Sequence, residues 1–328
     1  MHSVDLKKYN LRSDLIIENK NNYQRESYEE NKVHVDYIHL NKKNGDYITI
    51  SFDDVTDIDN YNRVLNIVEK ELKRILELSQ IKENAKCLII GLGNNKSTPD
   101  SLGHEVLENI MVTRYLDVLN LMDQRYRSVS ILEPGVIGNT GIDSFDIIES
   151  IIKKTKPDFI VAIDSLAAIN IERIEKTIQI TNAGIKPGSG IGNNRKEISL
   201  RTLKIPVIAI GVPTVVSSSV IVYDTLQYLI KKISYHKTNS LKDKLVPSYN
   251  LNYLKKSSDL NLEEKKQLLG LVGTLSEEEI KRLIYEVLNP IGFNLIVSTK
   301  EIDFNIKKLG KLIGNSLNNT LHQKKNNI

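Results

Sequence analysis

The sequence predicts an α/β protein in which a mostly parallel sheet carries helices on both faces. From about residue 86 onwards, short apolar segments alternate with segments whose apolar residues recur at helical spacing. Two of the short segments, 87–93 and 159–163, are apolar at nearly every position, which is typical of strands buried on both faces. Strands that alternate with helices in this way usually form βαβ units, so their strands run parallel.

The N-terminal part has a different pattern. Residues 1–32 are polar and rich in asparagine, which indicates a leader or arm. Residues 33–40 and 47–52 alternate apolar and polar side chains around the turn signal at 44–46, and together they predict a β-hairpin. The apolar residues of 61–78 have helical spacing. We therefore assign residues 15–80 to an N-terminal arm followed by a small hairpin and helix subdomain.

Residues 81–232 carry the alternating pattern and form the predicted catalytic core. The predicted strands are 86–92, 128–132, 158–163, 176–181 and 205–210. The predicted helices are 99–118, 143–154 and 217–232.

The remaining residues predict an insertion and a helical end. Residues 233–262 are polar and indicate a surface insertion or linker. Residues 263–328 form a C-terminal helical part that is expected to pack on the core. Its predicted helices are 263–270, 276–288 and 299–322, with an extended stretch at 293–297. Ser276 and Glu279 match a capping box at the start of the second of these helices.

Composition narrows the function classes. The net charge of +4 over 328 residues is too small to indicate direct nucleic-acid binding. A single cysteine, Cys87, excludes an internal disulfide framework and indicates a reducing compartment. The N-terminus lacks the apolar region of a secretory signal, and the most apolar stretch, 205–216, is shorter than a membrane span. We expect a soluble cytoplasmic protein without membrane contact.

Two aspartates carry the chemistry that the sequence suggests. Asp100 follows the apolar segment 87–93 after a short loop, and Asp164 directly follows 159–163. Ligands of open parallel sheets bind outside the carboxyl ends of the strands, where both carboxylates are expected to meet. Two neighbouring carboxylates can share one proton and activate water. Taken alone, Asp100 could instead complement the dipole of a helix N-terminus, whereas a carboxylate placed like Asp164 is costly unless it is paired or used.

Two glycine-rich motifs raise the question of a bound cofactor. Gly91-Leu92-Gly93 would need a glycine at Lys96 to complete a dinucleotide fingerprint, and no Walker motif occurs, so we expect no cofactor. A second glycine-rich loop could bring backbone N–H groups to a substrate or an oxyanion, although a flexible connection explains it equally well. Its residues are Gly188, Ser189, Gly190 and Gly192.

Metal binding has little support in the sequence. The six histidines are dispersed and no H-E-x-x-H motif occurs, so we expect no metal site. His104, four residues after Asp100, is a candidate for orienting that carboxylate, but the sequence favours a histidine that faces solvent.

Long stretches of the sequence resemble the germination proteases of spore-forming bacteria. The resemblance covers most of the chain and includes both aspartates. The matching stretches are 91–94, 98–103, 134–138, 140–142, 157–168, 177–180, Gly184, 187–193, 195–197, 205–216, 273–275, 282–284 and 286–290. The segment 9–18 resembles the propeptide junction of that family.

The resemblance implies an atypical aspartic endopeptidase that digests small acid-soluble spore proteins during germination. It implies a fold similar to that of hydrogenase-maturation proteases, a homotetramer, and a location in the cytoplasm of the forespore and the spore core. It also implies a zymogen that removes its own propeptide, here residues 1–14, by a cut between Asp14 and Leu15. The catalytic aspartates of the family correspond to Asp100 and Asp164.

The sequence hypothesis is therefore hydrolysis of peptide bonds by an aspartate pair. One ionised carboxylate would deprotonate water while the protonated carboxyl polarises the carbonyl or protonates the leaving nitrogen. Two alternatives remain open at this point. One is a non-enzymatic α/β protein that binds a ligand or partner at the same sheet edge, and the other is a metal-dependent hydrolase with both aspartates as ligands.

Overall fold

The computed structural model describes residues 13–18, 23–40, 45–123, 125–188, 195–238, 260–292 and 295–322. The chain divides into two compact units. The larger unit comprises residues 12–168, 172–215 and 298–328, and the smaller unit comprises residues 1–11, 169–171 and 216–297.

The described residues contain nine strands and ten α-helices. The strands are β1 (Arg25–Glu30), β2 (Val33–Leu40), β3 (Gly45–Ser51), β4 (Cys87–Gly91), β5 (Val129–Leu132), β6 (Phe159–Ala168), β7 (Thr177–Thr181), β8 (Val207–Ser217) and β9 (Ile296–Val297). The helices are α1 (Ile58–Leu78), α2 (Leu102–Leu107), α3 (Arg114–Val118), α4 (Ile137–Thr140), α5 (Ser144–Thr155), α6 (Leu200–Leu203), α7 (Ser218–Thr238), α8 (Leu262–Leu269), α9 (Glu277–Leu288) and α10 (Ile302–Leu321). Short 3-10 turns lie at Ile16–Glu18, Thr98–Asp100, Ile171–Arg173 and Gly270–Thr274.

The sheet of the larger unit is mixed, and the prediction of a mostly parallel sheet was wrong. Its strand order is β1-β2-β3-β7-β8-β6-β4-β5. Strand β4 runs parallel to both β5 and β6, whereas β1 to β3, β7 and β8 pair antiparallel with their neighbours along that half of the sheet. The α/β class was correct. The error arose because the predicted hairpin joins this sheet through β7, instead of forming strands apart from it.

The hairpin itself is confirmed. β2 and β3 pair antiparallel from His34 opposite Ser51 to Leu40 opposite Gly45. The free edge of β3 then pairs with β7, with Ile50 opposite Ile178. The residues of these strands that face the core are Val33, Val35, Ile48, Ile50, Ile178 and Ile180.

Helices cover both faces of this sheet, as predicted. One core cluster combines alternate strand residues such as Ile89, Val161 and Ile210 with apolar residues of α1, α2 and α10. The opposite face places Ile90 and Ala162 in a second cluster with α5 and the region of α6. Because successive side chains of a strand point to opposite faces, each buried strand contributes to both cores.

The predicted helix 99–118 is broken into three pieces. A 3-10 turn at Thr98–Asp100 precedes the short helices α2 and α3. The chain between the two helices follows the edge strand β5. There Thr113 donates from its backbone N–H to the Val129 carbonyl and from its Oγ1 to the Arg127 carbonyl. The pairing of this segment with β5 explains the break, because residues bonded to a strand cannot continue a helix.

The smaller unit is mainly helical. An apolar cluster joins Tyr223 of α7 to Ile280 and Ile284 of α9, and α9 begins with the predicted capping box of Ser276 and Glu279. The last two residues of β8 pair antiparallel with β9, Val216 opposite Val297. Most of the predicted insertion at 233–262 lies outside the described residues. In the part of the chain that the structure describes, no helix is both long and apolar enough to cross a membrane.

Candidate active site

Asp100 is placed by contacts between backbones rather than between side chains. β4 ends at Gly91, and the following loop turns back so that the Asn94 N–H donates to the Asp100 carbonyl at 2.9 Å. Gly93 lies against Asp100 with a φ of +100°, and a Cβ on Gly93 would overlap the Asp100 carbonyl oxygen. The Gly-Leu-Gly motif therefore lets the loop close onto the turn that carries Asp100.

Two further contacts fix this turn on the sheet. Gly91 and Gly103 bring β4 and the start of α2 together, and a Cβ on Gly91 would lie 2.6 Å from the Gly103 carbonyl oxygen. From β8, the buried Thr214 hydroxyl donates to the Pro99 carbonyl at 2.6 Å. Asp100 is thus held by three neighbouring elements and lies in a 3-10 turn, rather than in the first turn of a long helix.

Asp164 lies within β6, one residue beyond the last position that pairs with β4. The strand was predicted to end at residue 163, but it continues to Ala168. The neighbouring residues Val161 and Ile163 belong to the core formed with α1, α2 and α10, so Asp164 points to the opposite face of the sheet. Its side chain is buried, and one of its carboxylate oxygens accepts a hydrogen bond from the Ser165 N–H at 3.0 Å.

The two carboxyl groups influence each other electrostatically. Burial raises the pKa of Asp164 well above its usual value, and the negative charges of Asp100 and Asp14 raise it further. Burial also raises the pKa of Asp100 to about 6, opposed by the positive charge of Arg195 and by the Asn94 N–H. Burial is thus the main cause of the raised pKa of both carboxyl groups.

A third carboxylate, Asp14, lies beside this pair. Its backbone N–H donates to the Ala167 carbonyl at 3.1 Å, and its Oδ2 accepts from the Ala167 N–H at 2.9 Å. The Gln179 amide, on β7, donates to the Asp14 carbonyl at 3.1 Å. The residue that precedes the predicted cleavage point is therefore bound along β6, three residues from Asp164.

The segment that follows Asp14 is also anchored. Leu15 is fully buried, and the Ile16 N–H donates to Gln179 Oε1 at 2.7 Å. Ser13 donates from its hydroxyl to Glu18, whose carboxylate forms an ion pair with Arg173 at 3.5 Å. The predicted junction is thus packed on the sheet of the larger unit, in a region that the sequence indicated to be a leader or arm.

A cavity of about 680 Å³ borders this segment. Its walls include Asp14 and Ile16, Leu166 of β6, Gln179 of β7 and Gly211 of β8. Neither Asp100 nor Asp164 lines it. The cavity therefore lies on the face of the sheet that the segment occupies.

Other residues singled out in the sequence lie elsewhere. His104 contacts Glu133, with Nδ1 and the carboxylate 3.1 Å apart, and this contact raises the pKa of the imidazole. Gly188 adopts a φ of +70°, while Ser189, Gly190 and Gly192 lie outside the described residues. Among the residues that the structure describes, no cluster of three or more His, Cys, Asp or Glu side chains could hold a metal ion.

Two residues of this region were missed by the sequence reasoning. Gln179 occupies the central position of Thr-Ile-Gln-Ile-Thr, where alternation alone predicts an ordinary polar side chain. Arg195 follows the glycine-rich loop, and its charge lowers the pKa of both Asp100 and Asp164. Only its closeness to a glycine-rich loop distinguished it from the other basic residues of the chain.

The buried Asp164 gives a testable dependence of stability on pH. A carboxyl whose pKa is raised by folding stabilises the protein below the pKa of the unfolded chain, near 4, and this stabilisation is lost as the pH rises through the folded-state pKa. We therefore expect full-length Asp164→Asn to melt a few degrees above the full-length parent at pH 8, with the difference shrinking towards pH 4. Thermal denaturation across this range measures it, and a difference that grows towards acid pH would contradict the assignment.

Comparisons with known proteins identify the family of the chain. The profile of the germination protease family matches residues 11–327. The chain is 42% identical to the germination protease of Bacillus mycoides (strain KBAB4), over 97% of this chain and 95% of the relative. It is 47% identical to that of Bacillus velezensis (strain DSM 23117 / BGSC 10A6 / LMG 26770 / FZB42), over 86% of this chain and 79% of the relative. The chain therefore belongs to the germination protease family and is a peptidase.

Proposed function

We propose that this peptidase hydrolyses small acid-soluble spore proteins during germination and that Asp100 and Asp164 together activate the attacking water. The observation that carries the proposal is the acidic pair itself, in which Asp164 is deeply buried and the negative charge of Asp100 raises its pKa further. Carboxyl groups whose environments separate their pKa values are suited to acid and base roles. The family membership supports a substrate that is found in spores.

In the proposed reaction, ionised Asp100 accepts a proton from water as its oxygen attacks the carbonyl carbon of the substrate. Protonated Asp164 donates its proton to the leaving nitrogen when the C–N bond breaks. The pair then holds the same total charge with its proton on Asp100, and transfer of this proton to Asp164 restores the starting state, so the titration belongs to the two groups together. We also propose that the protein forms a homotetramer and acts in the spore core.

The test is incubation of the protein with a purified small acid-soluble spore protein. Discrete fragments are expected, and a chelator such as EDTA is expected to leave the rate unchanged. Intact substrate after long incubation with the matured protein would overturn the proposed substrate, and loss of cleavage with EDTA would favour a metal-dependent hydrolase.

We further propose that the chain is made as a zymogen that cuts itself between Asp14 and Leu15. Leu15 is fully buried and Asp14 is bonded along β6, so this peptide bond is poorly exposed to a separate protease and lies beside the acidic pair. This arrangement supports a cut made by the chain's own site.

For the purified chain we expect the N-terminus of the matured protein to be Leu15, whereas Asp164→Asn stays full length because the acid group is missing. N-terminal sequencing and intact mass measure both results. Maturation of the Asp164→Asn protein in the absence of any other protease would refute self-processing.

A further inference from the structure

One side chain contacts both sides of the Asp14–Leu15 peptide bond. Gln179 Nε2 donates to the Asp14 carbonyl oxygen at 3.1 Å, and this carbonyl belongs to the bond whose cleavage is proposed. Gln179 Oε1 accepts the Ile16 N–H at 2.7 Å, on the other side of that bond. Gln179 is itself buried, with 6% of its surface exposed. The two hydrogen bonds therefore use both the nitrogen and the oxygen of one side-chain amide.

The peptide bond is oriented independently of Gln179. The Asp14 N–H and the Asp14 carboxylate both bond to Ala167 of β6, and Leu15 is fully buried. A carbonyl held at two sides in this way has a defined direction, which is what a donor to a developing oxyanion requires.

Gln179 and Asp164 project from the same face of the sheet. In β7, Ile178 and Ile180 face the core formed with α1, α2 and α10, and in β6 Ile163 does so, which leaves Gln179 and Asp164 on the other face. Strand β8 lies between β6 and β7 and presents Gly211 directly opposite Gln179. A side chain at Gly211 would meet Leu166, with a Cβ 2.5 Å from its Cδ1. The missing side chain at Gly211 leaves room for Leu166 of β6 to pack over β8 on this face.

We propose that Gln179 is a catalytic residue that donates a hydrogen bond to the carbonyl oxygen of the bond being cut and holds the chain two residues further on. This inference rests on the proposed self-processing. Water adds to the Asp14 carbonyl carbon and gives its proton to the ionised aspartate, while the carbonyl electron pair moves to the oxygen bonded by Gln179. The C–N bond then breaks, the Leu15 nitrogen takes the proton of the second aspartate, and Gln179 keeps its own protons throughout.

The amide suits this role for a physical reason. Negative charge develops on the carbonyl oxygen only as water attacks, so the bond from Nε2 strengthens in the transition state. Burial of Gln179 excludes competing water and increases the effect of this donor. Because both contacts go to main-chain atoms, they do not depend on the side chains of the bound segment.

The test uses the full-length chain and follows the first-order loss of the leader by intact mass. Gln179→Leu removes both contacts and is expected to slow leader removal by about 100-fold or more, the effect of losing one oxyanion donor. Gln179→Glu has nearly the same shape but, when ionised, no donor for the carbonyl oxygen, so it is expected to be similarly slow at pH 8. The matched controls Gln267→Leu and Gln267→Glu change an exposed glutamine of α8 and are expected to process at the parent rate.

Each outcome decides a separate point. Parent-like processing by Gln179→Leu or, should that variant melt early, by Gln179→Glu would overturn the role of Gln179 while leaving self-processing in place. A parent chain that never loses its leader would refute self-processing, and the inference about Gln179 would fall with it. Slow processing by both Gln179 variants with unchanged circular dichroism and melting temperature supports the proposal.

Discussion

Asparagine at position 164 or at position 100 is expected to lower the rate of spore-protein cleavage by about 100- to 10,000-fold, the usual contribution of a general acid or base. Asparagine is nearly isosteric with aspartate but can neither accept nor deliver the transferred proton. Because the two aspartates act as one unit, the double variant is expected to be little worse than either single one. Quantification of fragments over time gives the rates.

The control for these variants is an aspartate outside the site. Asp59 is exposed in the first turn of α1, and Asp59→Asn is expected to cleave at the parent rate. Circular dichroism establishes whether each variant keeps its secondary structure. Retention of more than about a tenth of the parent rate by Asp100→Asn, far above the general-base expectation, would remove Asp100 from the mechanism.

The second large effect is expected at Gly93. An alanine there would combine a φ of +100° with a Cβ that overlaps the Asp100 carbonyl oxygen. We expect Gly93→Ala to lower the free energy of unfolding by about 3 kcal/mol and to abolish cleavage, because the turn that carries Asp100 must move away from β4. Urea denaturation and the cleavage assay measure the two effects.

Substitutions at two other glycines distinguish the cost of a positive φ from the cost of the overlap between a Cβ at position 93 and Asp100. Gly141 has a φ of +72° with open space around its Cβ position, so Gly141→Ala is expected to cost only about 1 kcal/mol. Gly138 lies within α4 with open space and no positive φ, and Gly138→Ala is expected to be neutral or to stabilise by up to about 1 kcal/mol. Equal costs at Gly93 and Gly141 would mean that overlap with Asp100 contributes nothing.

Local signals in the sequence were sufficient for most elements. The helix α1 and the capping box at Ser276 follow from spacing and from side chains that bond their own backbone, and both were predicted. Asp164 stood out for a local reason too, since a carboxylate inside an apolar run is costly. Each of these signals depends only on residues that lie close together in the sequence.

The features that were missed depend on partners far away in the chain. The pairing of β3 with β7 decides that half of the sheet is antiparallel, and no property of 45–51 specifies its neighbour or the direction of that neighbour. The position of Asp14 on β6 and its contact with Gln179 join residues more than 150 positions apart. The alternating pattern of 177–181 correctly predicted a strand with a polar residue at position 179. It could not show that Gln179 binds the segment around Asp14.

The position of β8 between β6 and β7 also sets an order of assembly. β6 and β7 are near neighbours in the chain, yet they cannot pair directly in the native sheet, because β8 must first be synthesised and then enter between them. At about 5–20 residues per second, the ribosome needs several seconds to make the residues from the end of β6 to the end of β8. During that time the nascent chain exposes two unpaired strand edges, which are prone to wrong pairing. A chain released after β7 but before β8 would carry Asp164 and Gln179 without the strand that lies between them.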